Sequence, residues 1–356
     1  MASKCLGGNN PLPYHVSAGQ SSREQPTVRH SAPGDKPCPE HASPENEALW
    51  EAAMRRGDWA AAWRVSDAVL RARDPARRDD PRLPYHERWV WDGRDLAGQR
   101  VLVRCYHGLG DTLQFVRLLA LLRPRVAALA LEVQPEILPL LRRLPGPDRM
   151  IPFRLDAPAP AECDVELMEL PHALRLEPAS LPAVVPYVHA EPERVAAMRH
   201  RLGPGIKVGV CWQAGDWDPE RSVPLAALAP ILALPGVTPV SLQRGKAASE
   251  ALAGYAPAFA NPHDRSLEIL ETAALIGALD LVITVDTMVA HLAGALGCAT
   301  WVLLRAAADW RWMAGRTDSP WYPTMRLYRQ DRPGEWRGVL DRLAADLADF
   351  VSRSAD

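Results

Sequence analysis

Two runs of alternating strand and helix signals restrict the fold of this 356-residue chain more than any other feature. The first run opens with an apolar strand at 100–106, followed by helical spacing over 111–122. The second opens with a strand at 207–212 and continues to a strand at 300–304, and a proline-rich segment at 178–186 separates the two. Alternating βα units predict parallel sheets with helices on both faces. We therefore expect an α/β fold with two Rossmann-like domains that face a cleft.

The regions outside these runs predict a tail, a small helical unit and a terminal helix. Residues 1–44 are rich in Pro, Ser, Gly, Asn and His, which predicts a disordered tail. Residues 45–75 predict a hairpin of two short helices that resembles one tetratricopeptide pair, and a plain two-helix extension is the alternative. We expect the two Rossmann-like domains over 85–190 and 191–334, and a last helix over 335–356.

Charge and cysteine usage exclude several classes of protein. There are 41 Lys and Arg against 43 Asp and Glu, so the basic excess of a general nucleic-acid binder is missing. The six cysteines form no C-x-x-C pair, which predicts a reducing, cytoplasmic location and no structural zinc. The longest uncharged stretch, 222–243, is broken by prolines, so we expect no transmembrane segment. A peripheral membrane contact stays open.

The turn after the first strand carries the first candidate site, His107-Gly108-Leu109-Gly110-Asp111. A glycine turn at a helix N-terminus forms a backbone-lined pocket for an anion or a sugar. The residues leave two roles for Asp111: a helix cap, which is the commoner one, or a general base that takes a proton from an acceptor hydroxyl. A dinucleotide site is disfavoured, because Leu113 occupies the third glycine position and the Asp111 carboxylate would repel a pyrophosphate.

The second candidate site lies where the strand at 280–285 runs into a helix. Asp286 and Thr287 form the turn, and we expect the N–H groups of Thr287, Met288 and Val289 to be free to hold a phosphate. His291 follows Thr287 by four residues and so lies on the same side of the helix. A ligand role and a buried-core role for His291 are equally open.

Four segments together resemble a known family. They are G-L-G-D-T-L-Q-F at 108–115, S-L-Q-R-G at 241–245, V-D-T-M-V-A-H-L-A-G-A-L-G at 285–297, and the tryptophan-rich segment at 309–330. They resemble the family 9 glycosyltransferases, which are heptosyltransferase-like enzymes, and in particular the subgroup fused to tetratricopeptide repeats. The resemblance implies a glycosyltransferase fold of the B type. It also implies inverting, metal-independent transfer of a sugar, with heptose as one candidate, from a nucleotide-diphosphate donor to a glycan or protein acceptor, with no cofactor.

The resemblance also implies roles for particular residues. Asp111 matches the candidate catalytic base of the family. The matching donor-binding positions are Gly108, Gly110, Arg221, Ser222, Gln243, Lys246, Asp286, Thr287, Met288 and His291. Helix N-terminal amides, with Arg and His, can supply positive charge to a departing diphosphate in place of a metal ion. For Arg221 a solvated loop charge is the alternative, and for Lys246 the start of a helix.

Some features depart from the family pattern and support a second hypothesis. Met288 stands where a small residue is usual, and the loop at 214–221 is acidic. Either departure is compatible with a non-catalytic nucleotide-sugar-binding or scaffold protein that derives from such an enzyme.

The chain is also unusual in having 12 Trp against 4 Phe. The positions predict two separate clusters. The first cluster joins the hairpin to the first sheet and contains Trp50, Trp59, Trp63, Trp89 and Trp91. The second cluster lies near the cleft and contains Trp310, Trp312 and Trp321.

Overall fold

The computed structural model describes residues 43–80, 82, 89–154, 163–215, 218–243, 260 and 268–355. Of the predicted tail, these ranges contain only Ser43 and Pro44. Lys246 of the predicted donor site lies outside them. Within them, no helix is both long enough and apolar enough to cross a membrane.

Two antiparallel helices, α1 (Pro44–Arg56) and α2 (Trp59–Ala72), form the N-terminal hairpin. The Ser43 side chain caps α1 by accepting a hydrogen bond from the Asn46 N–H. Gly57 ends α1 with φ +77°, a left-handed conformation that glycine adopts without steric cost. Asp58 then caps α2 through the Ala61 N–H at 3.1 Å. The hairpin therefore forms at the predicted place, and its first helix begins with the last residue of the predicted tail.

The first lobe is built on a four-stranded parallel sheet of order β3-β2-β1-β4. Its strands are β1 (Arg100–Arg104), β2 (Ala128–Val133), β3 (Arg149–Pro152) and β4 (Cys163–Glu166). Its helices are α3 (Leu109–Phe115), α4 (Leu119–Leu122), α5 (Leu138–Leu141) and α6 (Leu170–Ala173).

The helix predicted over 111–122 is broken in two. A tight 3-10 turn, Val116–Leu118, separates α3 from α4. The buried Arg117 explains the break, because its Nε donates to the Gln114 carbonyl at 2.9 Å, the group that an unbroken helix offers to residue 118.

The second lobe is built on a five-stranded parallel sheet of order β6-β5-β7-β8-β9. Its strands are β5 (Ile206–Cys211), β6 (Val237–Ser241), β7 (Leu281–Val285), β8 (Thr300–Leu304) and β9 (Met325–Arg329). Its helices are α7 (Pro192–Leu202), α8 (Leu225–Leu232), α9 (Ile269–Gly277), α10 (Met288–Ala295) and α11 (Arg337–Ala355). Strand β9 is an addition to the predicted set, and α11 packs on α8 and β9.

The two lobes meet through the helices that follow their central strands. Helix α3 follows β1 and helix α10 follows β7, and the two helices pack directly on each other. Gly110 makes the approach possible, because a Cβ there would lie 2.9 Å from His291 Cδ2 and 3.4 Å from Met288 Cα. The carboxyl ends of both sheets therefore open on the same junction, which is where ligands bind in open α/β folds.

The two predicted tryptophan clusters are in fact one. Trp50 of α1 makes an edge contact with Trp310, with ring centroids 5.2 Å apart, and Trp59 of α2 stacks on Trp321 at 5.6 Å. The prediction of two separate clusters was therefore wrong, because the hairpin packs on the second lobe as well as on the first. Local sequence patterns do not reveal contacts between rings this far apart in the chain, and such large rings gain most free energy by burying one another.

Candidate functional site

A cavity of about 450 Å³ lies at the junction of the two lobes. Asp111 and eight of the ten predicted donor residues line it. The eight are Gly108, Gly110, Arg221, Gln243, Asp286, Thr287, Met288 and His291. The wall also contains Cys211, Gln213, Asp309 and Arg311, which were not predicted.

Asp111 uses both of its carboxylate oxygens. One oxygen accepts a hydrogen bond from the Gly108 N–H at 3.1 Å, which is the cap interaction. The other accepts from Arg311 Nη2 at 2.7 Å. The side chain is 27% exposed and faces the cavity. A capping role and contact with a ligand are therefore compatible in one residue.

Arg311 is the functional candidate that sequence reasoning missed. It follows β8 in a short 3-10 turn, Trp310–Trp312, and its Nη1 binds both carboxylate oxygens of Asp309 at 2.9 and 3.0 Å. Burial acts to lower the pKa of its guanidinium, but Asp309 and Asp111 together raise that pKa above the ordinary value. The local signal was the sequence Asp309-Trp310-Arg311-Trp312, and nothing in it showed that the Arg311 side chain reaches the first lobe.

Thr287 caps the helix that follows β7. Its hydroxyl accepts a hydrogen bond from the Val289 N–H at 3.3 Å. The expectation that the N–H groups of Thr287, Met288 and Val289 are all free was therefore wrong, because a capping side chain satisfies one of the donors at a helix start. The N-terminal end of α10 still faces the cavity through Asp286, Thr287 and Met288.

His291 is buried at the back of the cavity. Its Nδ1 lies 3.0 Å from the Tyr322 hydroxyl, and its ring stacks on Trp312 with centroids 5.5 Å apart. Burial, followed by the positive charge of Arg311, lowers the pKa of His291 to about 3. The imidazole is therefore neutral near pH 7. It offers the cavity a hydrogen-bonding ring but not the positive charge that the sequence argument gave it.

The loop after β5 is held in shape by two of the predicted residues. Ser222 Oγ accepts a hydrogen bond from the Ala214 N–H at 3.0 Å, and Ser222 does not line the cavity. Gln243 Oε1 accepts from the N–H groups of Trp212 and Gln213 at 3.1 and 2.8 Å. Ser222 thus supports the loop from behind, while Gln243 both supports it and faces the cavity.

Arg221 also lines the cavity, where it is held beside Asp286. Its Nη1 donates to the Asp286 carbonyl at 2.8 Å, and its Nε lies 3.4 Å from the Asp218 carboxylate. It is largely buried, so the alternative of a solvated loop charge does not describe it. Arg305 is a second cation beside this loop, and it forms ion pairs with Asp218 and Glu220 at 3.2 Å each.

Among the described residues that line the cavity, carboxylates outnumber guanidiniums. Three carboxylates line it, those of Asp111, Asp286 and Asp309, against the guanidiniums of Arg221 and Arg311. Burial, followed by repulsion from Asp309, raises the pKa of Asp286 to about 6. Among the residues that the structure describes, no three His, Cys, Asp or Glu side chains are placed to share a metal ion.

No family model matches the chain. The chain is 29% identical over 350 residues to Protein FlbA of Caulobacter vibrioides, in a match that covers 87% of this chain. It spans only about half of that relative, since the match covers 56% of FlbA.

Two solved structures resemble the chain in shape. The E. coli ADP-heptose lps heptosyltransferase II has a TM-score of 0.52 at 14% identity, over 72% of this chain and 100% of that one. The glycosyl transferase family 9 structure from Veillonella parvula also has a TM-score of 0.52, at 12% identity, over 67% of this chain and 87% of that one. The chain has the fold of these glycosyltransferases. The predicted α/β class with two Rossmann-like domains is confirmed, and membership of the tetratricopeptide subgroup stays a prediction.

Proposed function

We propose that this chain is an inverting glycosyltransferase that moves a sugar from a nucleotide-diphosphate donor to a glycan or protein acceptor. One observation carries the proposal. The Asp111 carboxylate from the first lobe and the N-terminal end of α10 from the second lobe face the same cavity of about 450 Å³. A base and an anion site that face one cavity are what transfer from a diphosphate requires. Because the two similar structures are a heptosyltransferase and a family 9 glycosyl transferase, we take heptose as the first candidate sugar.

In the proposed reaction, Asp111 removes the proton from an acceptor hydroxyl. The acceptor oxygen forms a bond to the anomeric carbon as the bond from that carbon to the diphosphate breaks, which inverts the configuration. The negative charge on the departing diphosphate is offset by Arg311, Arg221 and the amides at the start of α10, without a metal ion. Arg311 has then to exchange the Asp111 carboxylate for a phosphate oxygen, which frees Asp111 to act as the base.

We include three finer points in the same proposal. We assign the chain to the cytoplasm, which fits the described cysteines, all four of which are free thiols. We treat the hairpin as related to tetratricopeptide repeats, on its two short helices and the Gly57-Asp58 turn. Lys246 stays a proposed donor contact on the sequence resemblance alone.

A non-catalytic nucleotide-sugar-binding or scaffold protein is the second candidate. The ion pair between Asp111 and Arg311 favours this second candidate. A carboxylate that is held by Arg311 at 2.7 Å and by the Gly108 N–H is not free to accept a proton. The three carboxylates in the cavity wall also oppose a dianionic ligand.

Calorimetric titration with ADP, UDP and GDP, followed by transfer assays with the matching nucleotide sugars, tests the proposal. We expect one nucleotide to bind, and we expect Asp111→Ala to abolish transfer while it retains nucleotide binding. Absence of binding to all three nucleotides would favour the scaffold. Full turnover by Asp111→Ala would refute the assignment of the base.

A further inference from the structure

The loop that carries Arg311 is fixed from outside both sheets, by the N-terminal hairpin. The Ala314 N–H donates to the Arg55 carbonyl, the last turn of α1, at 2.8 Å. Four residues earlier in the loop, Trp310 makes its edge contact with Trp50 of the same helix. Both ends of the loop segment 310–314 are therefore attached to α1.

Trp310 transmits this contact to the cavity. The Arg311 guanidinium lies over the Trp310 ring, 4.6 Å from its centroid, and it also lies 5.5 Å from the Phe115 centroid. Trp310 is thus in contact with Trp50 and with the cation that lines the cavity. Trp50 and Trp310 are 6% and 8% exposed, so neither ring has room to turn without displacing its neighbours.

The position of Trp50 is itself set by hydrogen bonding within the hairpin. Its Nε1 donates to Ser66 Oγ of α2 at 3.2 Å. Helix α2 is in turn anchored on the first lobe, where Trp63 Nε1 donates to the Leu176 carbonyl at 2.7 Å and Asp67 binds Arg175 at 2.7 Å. The hairpin thus contacts the second lobe through both helices and is anchored on the first lobe through α2.

We propose that Trp50 is a positioning residue for Arg311. Through Trp310 it holds the guanidinium over the cavity, within reach of Asp111 and of a phosphate. Trp50 does not line the cavity, so it acts only through the loop. The packing relationship stands independently of the ligand, whereas its effect on nucleotide binding rests on the proposed function.

A double-mutant cycle in urea unfolding tests the packing relationship. The variants are Trp50→Ala, Arg311→Met and the double mutant, followed by circular dichroism because tryptophan emission changes with the mutation. We expect the effects of the two substitutions on the unfolding equilibrium constant to deviate from multiplicativity by about fivefold or more, because Trp310 contacts both residues. Leu49→Ala is the matched control, since Leu49 is the neighbouring residue of α1 and 56% exposed, and it should multiply with Arg311→Met within about twofold. Multiplicative effects for Trp50 and Arg311 would overturn the proposal.

A second cycle, in nucleotide affinity, separates positioning from general loss of stability. We expect Trp50→Ala to raise the dissociation constant of the best-binding nucleotide diphosphate about tenfold in the wild-type background and less than twofold in the Arg311→Met background. An equal loss in both backgrounds would overturn the proposal. Should the wild-type chain bind none of the three nucleotides, the proposed function fails, and the unfolding cycle still decides the role of Trp50. If Trp50→Ala does not fold, Trp50→Phe, which keeps a ring but loses the bond to Ser66, replaces it in both cycles with the same criteria.

Discussion

The Asp111 carboxylate and the Arg311 guanidinium lie 2.7 Å apart across the junction of the lobes, although they are 200 residues apart in the chain. The pair joins the start of α3 to the turn after β8. Both side chains line the cavity. Under the proposed function, the diphosphate of the donor competes with Asp111 for this guanidinium, and donor binding then frees the carboxylate.

Removal of the Asp111 carboxylate should separate binding from transfer. We expect Asp111→Asn to lower the transfer rate by a factor of about 10²–10⁴, the usual contribution of a general base. Nucleotide affinity should equal or exceed that of the wild type, because Arg311 loses a competing anion. Rate and affinity are measured by transfer assay and calorimetry. Asp331→Asn is the control, since Asp331 is an exposed carboxylate that pairs only at the surface with Arg342. A weaker nucleotide affinity in Asp111→Asn would contradict the competition argument.

Loss of the Arg311 charge should weaken nucleotide binding. A hydrogen bond to a charged group contributes about 1.5–3 kcal/mol, so Arg311→Met should raise the dissociation constant by roughly 10-fold to 100-fold. Arg332→Met removes an exposed arginine in contact with Glu335 and should leave the constant unchanged. Calorimetric titration of the two variants with the nucleotide measures both dissociation constants. An Arg311→Met affinity within about twofold of the wild type would show that the guanidinium serves only to bind Asp111 and Asp309.

Nucleotide affinity should fall as the pH rises through about 6. Asp286 has its pKa raised to about 6, so it is largely neutral below that value and adds a negative charge to the phosphate end of the cavity above it. Binding near pH 6.5 should therefore take up protons, which calorimetry in buffers of different ionisation enthalpy detects. Asp286→Asn should abolish most of this pH dependence. His107, whose pKa Glu166 and Asp111 raise in opposition to burial, and the terminal phosphate of the nucleotide also titrate, so pH dependence that persists in Asp286→Asn would come from them.

The same raised pKa has an effect on stability with a definite sign. Asp286 binds its proton more tightly in the folded chain than in the unfolded one, where its pKa is near 3.8. Below pH 3.8, Asp286 therefore makes a favourable contribution to the free energy of unfolding, and this contribution is lost as the pH rises to about 6. Urea unfolding between pH 4 and 7 measures this effect. As the pH increases, the free energy of unfolding of the wild type should fall relative to that of Asp286→Asn. Parallel curves would contradict the assignment.

A methyl group at Gly110 should disturb the contact between α3 and α10. The added Cβ would lie 2.9 Å from His291 Cδ2 and 3.4 Å from the Met288 backbone, so the buried His291 ring or one of the helices must shift. We expect Gly110→Ala to lower the free energy of unfolding by about 1–3 kcal/mol, as overpacking usually does. Gly338→Ala, in the exposed first turns of α11 with no atom closer than 3.7 Å, should be neutral or stabilising by up to about 1 kcal/mol. Equal melting temperatures for the two variants would exclude a tight contact at Gly110.

Local patterns predicted the elements whose burial follows from their own sequence. The strand Thr300–Leu304 has the predicted bounds, because it is a short apolar run that ends at the charged Arg305. The break after Phe115 was not predictable in this way, since it depends on the side chain of Arg117 reaching a backbone carbonyl and the rings of Tyr187 and Tyr322.

The candidate site likewise contains residues that local sequence patterns predict and residues that they do not. Asp111, Thr287 and His291 belong to strand-turn-helix motifs that can be recognised within a few residues. Arg311 depends on a loop whose course is set by Trp50 and Trp310, and the single tryptophan cluster depends on the same packing. Interactions between distant segments carry no local period, so no inspection of spacing reveals them.

The hairpin contact with the loop after β8 has a consequence for biosynthesis. Trp50 leaves the ribosome about 260 residues before Trp310, which at bacterial or eukaryotic rates of synthesis is a delay of roughly 10–50 s. During that time the tryptophan face of α1 has none of its partners from the loop. The hairpin is therefore completed by a segment that is synthesised much later, and the tryptophan face of α1 stays uncovered on that side until the loop after β8 has been made.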